Sequence, residues 1–187
     1  MVAKTVLVVV DVAVNSSTRA KKPHVPALIE LQATLQIELR PTKAILVGYP
    51  NNPTGCSYTD DELKALAEVA RKYKIIILSD EIYGELDFEG AHVSIARHYP
   101  EGTIISSGLS KWCGAGGWRL GTFAFPAALD WLLEGMAVVS SETFTATSAP
   151  IQYAAVRAFR GGTRIEAYLS HSRRILKSLC GAVCRRL

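Results

Sequence analysis

Lys111 stands in the run S-G-L-S-K-W-C-G-A-G-G-W-R-L-G over residues 107–121, and Arg119 follows it by eight positions. A lysine at a strand end, beside a hydroxyl-bearing loop, suits Schiff-base chemistry. A surrounding sheet would desolvate its amine and so make it nucleophilic. Arg119 carries a planar fork of donors that can give two hydrogen bonds to a phosphate. Apolar, β-rich runs lead in over 102–109 and out over 118–125, and glycines at 114, 116 and 117 let the backbone approach a ligand closely. Taken alone, the stretch reads more plainly as a Gly-rich turn between two strands. Two stretches upstream alter the balance.

The elements that must position these residues become regular from Pro26. Residues 27–39 repeat apolar side chains at 28, 29, 31, 35 and 39, which predicts a helix ended by Pro41. Residues 43–47 predict a short strand that runs into G-Y-P-N-N-P-T-G at 48–55, a cluster of turn formers. Thr59 with Glu62 three residues later predicts a capping box for a helix over 60–73. Leu63, Leu66, Ala67 and Ala70 form its apolar face. Residues 75–78 are continuously apolar and predict a strand buried on both faces, ending in S-D-E-I-Y at 79–83. A short helical pattern at 94–99 precedes a strand at 103–107 and the Lys111 stretch. Beyond it, the pattern predicts a helix over 127–139, a hydroxyl-rich loop over 140–148, and a helix over 151–159 opened by Pro150. Gly161 and Gly162 break that helix before a long basic one over 163–187. Strands alternating with helices give an α/β class with a largely parallel sheet, in which ligands bind beyond the carboxyl ends of the strands.

Composition narrows the classes. With 187 residues, 49% apolar and 20% charged, the chain can bury one core and reads as soluble and globular. The net charge of +4 is too small and dispersed to indicate nucleic acid. The C-terminal segment has eight Lys/Arg against Glu166 alone from Arg157 onward, and reads as a docked helix with a solvated basic face rather than a nucleic-acid or membrane surface. The cysteines at 56, 113, 180 and 184 lack zinc spacing and read as reduced thiols of a cytoplasmic protein, with no metal site. No apolar run approaches the roughly 20 residues of a membrane helix. Residues 1–26 receive no functional assignment. Residues 5–10 suit a strand better than a signal peptide, because Asp11 interrupts the run and a clear cleavage site is missing.

N-P-T-G at 52–55, D-E-I-Y at 80–83 and S-K…G-G-W-R-L-G at 110–121 together resemble the signature set of the fold-type I, class I/II pyridoxal-phosphate-dependent aminotransferases. Order and spacing both match, with 28 residues from Asn52 to Asp80, 31 from Asp80 to Lys111 and 8 from Lys111 to Arg119. The resemblance implies a partial large domain of that fold over 26–160, an extension at 1–25, and the start of an interdomain helix at 161–187.

It also implies roles. Asp80 would keep the pyridine nitrogen of pyridoxal 5'-phosphate protonated, since a carboxylate favours a neighbouring cation. Tyr83 and Asn52 would donate to the ring's phenolic oxygen. Lys111 would form the Schiff base and then shuttle the substrate proton. Arg119, Ser110 and Ser107 would hold the phosphate. Many relatives have serine three residues before the lysine, where this chain has Gly108, so the phosphate-binding serine is open. Each residue also has a plainer reading: turn or cap for Asp80, half-buried ring for Tyr83, turn former for Asn52, solvated amine for Lys111. Trp112, Cys113 and Trp118 read as packing residues.

The family implies homodimers acting on an amino acid and a 2-oxo acid. Its members are much longer, and the resemblance is expected to omit their N-terminal phosphate loop, the stacking aromatic ring and the arginine that grips the substrate carboxylate. Two alternatives therefore stand beside transamination: a non-catalytic remnant or cofactor-binding module, and another reaction of the same cofactor such as a β-lyase.

Overall fold

A computed structural model describes residues 43–90 and 92–186. The expected strand at 5–10, the helix over 27–39 and the extension at 1–25 lie outside the described residues. Three parallel strands, β1 (Ala44–Gly48), β2 (Ile76–Asp80) and β3 (Thr103–Gly108), lie side by side, and β4 (Gly121–Ala124) closes the order β1-β2-β3-β4 antiparallel to β3. The α/β class with a largely parallel sheet is thus observed.

Helix α1 (Asp60–Lys72) crosses between β1 and β2. Thr59 Oγ1 accepts from the Glu62 amide at 3.3 Å and Glu62 Oε2 accepts from the Thr59 amide at 2.8 Å, so the predicted capping box is present. Asp60, Asp61 and Glu62 occupy its first turn and Arg71 and Lys72 its last, in the favourable sense for the helix dipole. Its buried face is Leu63, Leu66, Ala67 and Ala70, packed with Val47 of β1, Ile77 of β2, Ile75 just before it, and Ile95 and Tyr99.

Strand alternation sorts the sheet into two faces. Val47, Ile77, Ser79 and Thr103 share the covered face and are buried. On the other face the register aligns Leu46, Leu78 and Ile104, and cover increases along the row: Leu46 is 46% exposed, Leu78 half-buried and Ile104 buried. The expectation that residues 75–78 are buried on both faces therefore holds on one face only among the described residues. Among the described residues, the side of α1 is the one that carries a complete apolar layer over β2.

Other bounds shift for local reasons. The weak pattern at 94–99 forms 3-10 turns, Ile95–Arg97 and Pro100–Gly102. Helix α2 (Asp130–Thr143) follows a 3-10 turn at Ala127–Leu129 and extends into the expected hydroxyl-rich loop. Ser141 and Thr143 return their hydroxyls to the carbonyls of Val138 and Val139, both at 2.8 Å, so these side chains are satisfied inside a helix. Helix α3 (Ala149–Phe159) has Pro150 in its first turn, where the missing amide costs nothing. Gly161 and Gly162, at φ +65° and +103°, turn the chain into α4 (Thr163–Cys184).

A second core forms where the loop after β3 meets these helices. Leu109, Trp112, Ala115 and Leu120 pack with Ala155 of α3 and Leu169 of α4. The rings of Trp112 and Phe159 meet edge to face at 5.6 Å. Trp112 is a packing residue as expected, whereas Trp118 is 51% exposed and is not. Helix α4 is also held by its basic residues. Arg173 donates to Glu85 O at 2.8 Å and Oε2 at 3.1 Å, and Lys177 pairs with Glu89, so the basic face is partly paired rather than wholly solvated. Leu66→Ala should lower the unfolding free energy by about 3 kcal/mol and Thr59→Ala by about 1 kcal/mol, both read as midpoint shifts in urea denaturation.

Candidate active site

The parallel register places Gly48 opposite Asp80 and Asp80 opposite Ser106, so all three strands end on one edge. The strand ends at that edge and the loops leaving it carry the residues the sequence singles out for the site. After β1, Asn51 closes a turn by donating its amide to Cys56 O at 2.8 Å and accepting the Gly55 amide at 2.7 Å, with both X-Pro bonds cis. Asn52 projects from this turn, and its Nδ2 donates to Tyr83 Oη at 3.5 Å.

Asp80 is the last residue of β2, on the face opposite α1. Its Oδ1 accepts the Ile82 amide at 3.2 Å, the turn bond that the plainer reading anticipates. Its Oδ2 makes no hydrogen bond within the described residues. Burial pushes the Asp80 carboxyl above its ordinary value; the Glu81 charge adds to this, while the Ile82 amide and Lys111 oppose it.

After β3 the chain wraps tightly on the second core. Ala115 donates its amide to Leu109 O and Gly114 donates to Lys111 O, each at 3.1 Å. Leu109 and Trp112, both buried, flank Lys111 and turn it outward, with Nζ 5.4 Å from the centroid of the Tyr83 ring. Arg119 sits in the left-handed region at φ +53°, and its Nη1 donates to Gly116 O at 2.9 Å. Ser107 and Ser110 are half-buried.

The structure thus brings Asn52, Tyr83 and Lys111 together, with Asp80 close enough for Lys111 to influence its charge. Arg119, Ser107 and Ser110 share the same edge, but among the described residues no side-chain hydrogen bond joins them to the other site residues. One expectation is corrected. Lys111 is exposed among the described residues, so the sheet does not desolvate its amine. Gly108 has a steric reason: a Cβ there would lie 2.6 Å from Leu120 O, because β4 pairs closely against it. A serine would not fit at that position without moving β4.

Sequence reasoning missed Glu81, which points to the opposite face from Asp80. Its Oε1 accepts from Ser94 Oγ at 2.7 Å, Ser79 Oγ at 2.9 Å and Tyr49 Oη at 3.4 Å, and its Oε2 meets His92 Nε2 at 2.9 Å. Burial alone would raise this carboxyl, but the bonds from His92, Ser94 and Ser79 outweigh it and hold it below its ordinary value. Strand alternation puts Glu81 on the face opposite Asp80, but nothing local in the sequence joins it to Tyr49, His92 or Ser94.

The sequence model of the family described as aminotransferase class I and II matches residues 5–187. The chain belongs to that family. It is 39% identical over 132 residues to the probable aspartate/prephenate aminotransferase of Thermus aquaticus, covering 71% of this chain and 34% of that one. It is 42% identical over 124 residues to the aspartate aminotransferase of Geobacillus stearothermophilus, covering 64% and 31%. Among solved structures, aspartate aminotransferase from Thermus thermophilus with maleate superposes with a TM-score of 0.67 at 36% identity, over 73% of this chain and 35% of the other. The match therefore spans about a third of the length of these relatives.

The two adjacent carboxylates should respond oppositely to pH. Asp80 is raised, so the folded chain holds its proton more tightly than the unfolded chain, and the ionised group costs stability at neutral pH. Asp80→Asn should then be more stable than the unsubstituted chain at pH 7, with the gain vanishing as pH falls below the ordinary 3.8. Glu81 is lowered and contributes stability above the ordinary 4.5, lost as pH falls through its folded value. Glu81→Gln should be less stable at pH 7, with the deficit closing in acid. Denaturant titrations across this pH range check both signs.

Proposed function

We propose that this chain carries the pyridoxal 5'-phosphate site of an aminotransferase that moves an amino group between an amino acid and a 2-oxo acid. The observation that carries the reading is the convergence of Asn52, Asp80, Tyr83 and Lys111 at the carboxyl edge of three parallel strands. The donor set suits the cofactor in kind: a carboxylate oxygen without a protein partner, two neutral donors 3.5 Å apart, an exposed amine, and a guanidinium with two hydroxyls. When bound, the cofactor supplies an electron sink for charge that develops at the substrate α-carbon.

Asp80 would hold the proton on the ring nitrogen by favouring the cation. Asn52 and Tyr83 would donate to the phenolic oxygen and favour its anion. Arg119, with Ser107 or Ser110, would bind the phosphate. Lys111 would hold the cofactor covalently and, once released, carry the proton to and from the α-carbon.

The same reading takes residues 26–160 as the cofactor-binding part and 161–187 as the start of an interdomain helix, consistent with α4 beginning at Thr163. It also includes a homodimer, supported by large apolar side chains left open on α2 and α3, among them Trp131 at 64% and Tyr153 at 79% exposed. Four free cysteines support a cytoplasmic, reducing compartment. Among the described residues, no helix is long and apolar enough to cross a membrane.

The exposure of Lys111 favours one second reading, a module that binds the cofactor without turnover. Titration with pyridoxal phosphate, then borohydride reduction and mass mapping, tests the site. A visible band with the cofactor's mass on Lys111, lost in Lys111→Ala, is the expected result; no band, or label spread over many lysines, would refute it. Amino transfer that depends on an added 2-oxo acid is expected next. Binding without transfer would leave the module, and release of ammonia with pyruvate would indicate a β-lyase instead.

A further inference from the structure

Glu81 lies on the α1 side of the sheet, one residue from Asp80 and two from Tyr83, and its partners reach across to the strand that leads to Asn52. We infer that Glu81 is a positioning residue: its buried carboxylate holds the Asn52 turn and the Asp80–Tyr83 turn at a fixed separation. The functional meaning rests on the cofactor-site reading above, but the mechanical part stands on its own.

The Glu81 side chain is 8% exposed and meets four donors. Three of these donors converge on Oε1 and one meets Oε2, and they come from three separate segments. Tyr49 comes from the exit of β1, Ser79 from β2 itself, and His92 and Ser94 from the stretch that leads toward β3. The His92 bond to a carboxylate fixes a proton on Nε2, while Nδ1 is buried without a hydrogen-bond partner among the described residues. Among the described residues, the bond to Glu81 is the hydrogen bond that ties the ring.

The ring is also wedged in place. It lies tilted by 35° against Tyr49 at 5.1 Å between centroids and over Gly84, where a Cβ would meet His92 Cδ2 at 2.7 Å. Tyr49 Oη in turn accepts the Ile95 amide at 2.7 Å. Two backbone bonds lock the same level: Tyr49 donates its amide to Asp80 O at 3.1 Å, and Glu81 donates to Ser106 O at 2.9 Å. On the opposite face, the Asn52–Tyr83 contact is exposed and 3.5 Å long, too weak to set its own spacing. That spacing is inherited from Tyr49, three residues before Asn52, and from Glu81, two before Tyr83.

Glu81→Gln keeps the shape but turns one acceptor into a donor, and Ser94→Ala keeps the charge while removing one bond. The first measurement is residue-resolved amide exchange of the full chain without cofactor. In Glu81→Gln, protection at Tyr49 and Asn51, and at Ile82 and Gly84, should fall about tenfold more than at Leu66 and Ala70 of α1, the loss expected for a bond to a charged group. Ser94→Ala should give a smaller change in the same residues. Loosening confined to Ile82 and Gly84, or spread evenly into α1, would overturn the inference, because a merely stabilising residue produces those patterns.

The second measurement is affinity for pyridoxal phosphate, which should weaken about tenfold in Glu81→Gln. Unchanged affinity in that variant would overturn the positioning role. Failure of the unsubstituted chain to bind the cofactor would refute the functional proposal instead, and the exchange comparison would still decide whether Glu81 couples the two turns.

Discussion

Parallel pairing of β1, β2 and β3 in a single register is the constraint on which the site depends. Gly48, Asp80 and Ser106 lie at one level, so three chain exits separated by about thirty residues each open on the same edge. Parallel strands need crossovers between them, and α1 and the 3-10 turns supply these on the covered side. A one-residue slip of β2 would exchange Asp80 and Glu81 between the faces, carrying the open carboxylate inward and exposing the buried network. Register is pinned by the apolar set that packs under α1: Val47, Ile77 and the helix residues Leu63, Leu66 and Ala70.

Asp80 and Glu81 show how one sheet edge makes two electrostatic environments from adjacent carboxylates. Glu81 points into the covered side, where four donors replace the water it loses. Asp80 points to the opposite side with one backbone donor, and burial outweighs that bond. Its carboxylate is thus left with fewer partners than that of Glu81, with Lys111 favouring its charged form. Functional sites commonly keep such groups at some cost in stability. The second core performs a matching task for Lys111: Leu109 and Trp112 bury themselves against α3 and α4, and of the two residues between them Ser110 is half-buried and Lys111 faces out.

Much of this was legible in order along the chain. The capping box at Thr59, the apolar face of α1, the strand bounds near Asp80 and Gly108, and the placement of Asn52, Asp80 and Lys111 at strand ends follow from local pattern. The Glu81 network was not legible, because its partners lie 32, 11 and 13 residues away and only folding makes them neighbours. Nor was the length of α2: Ser141 and Thr143 favour loops by type, and the helix retains them through bonds to its own carbonyls. The extra burial expected for residues 75–78 and for Lys111 failed for the same reason. An apolar run or a strand-end lysine does not state what will cover it.

The sequence by itself determined which residue types stand at the three strand exits and at what spacing, because turns, caps and strand periods are set within a few residues of backbone. Tertiary structure decided which of two adjacent carboxylates is buried among four donors, how close Asn52 comes to Tyr83, and how far Lys111 is open to solvent. Those outcomes depend on what packs against each face of the sheet, and that is fixed by contacts between segments distant in the chain.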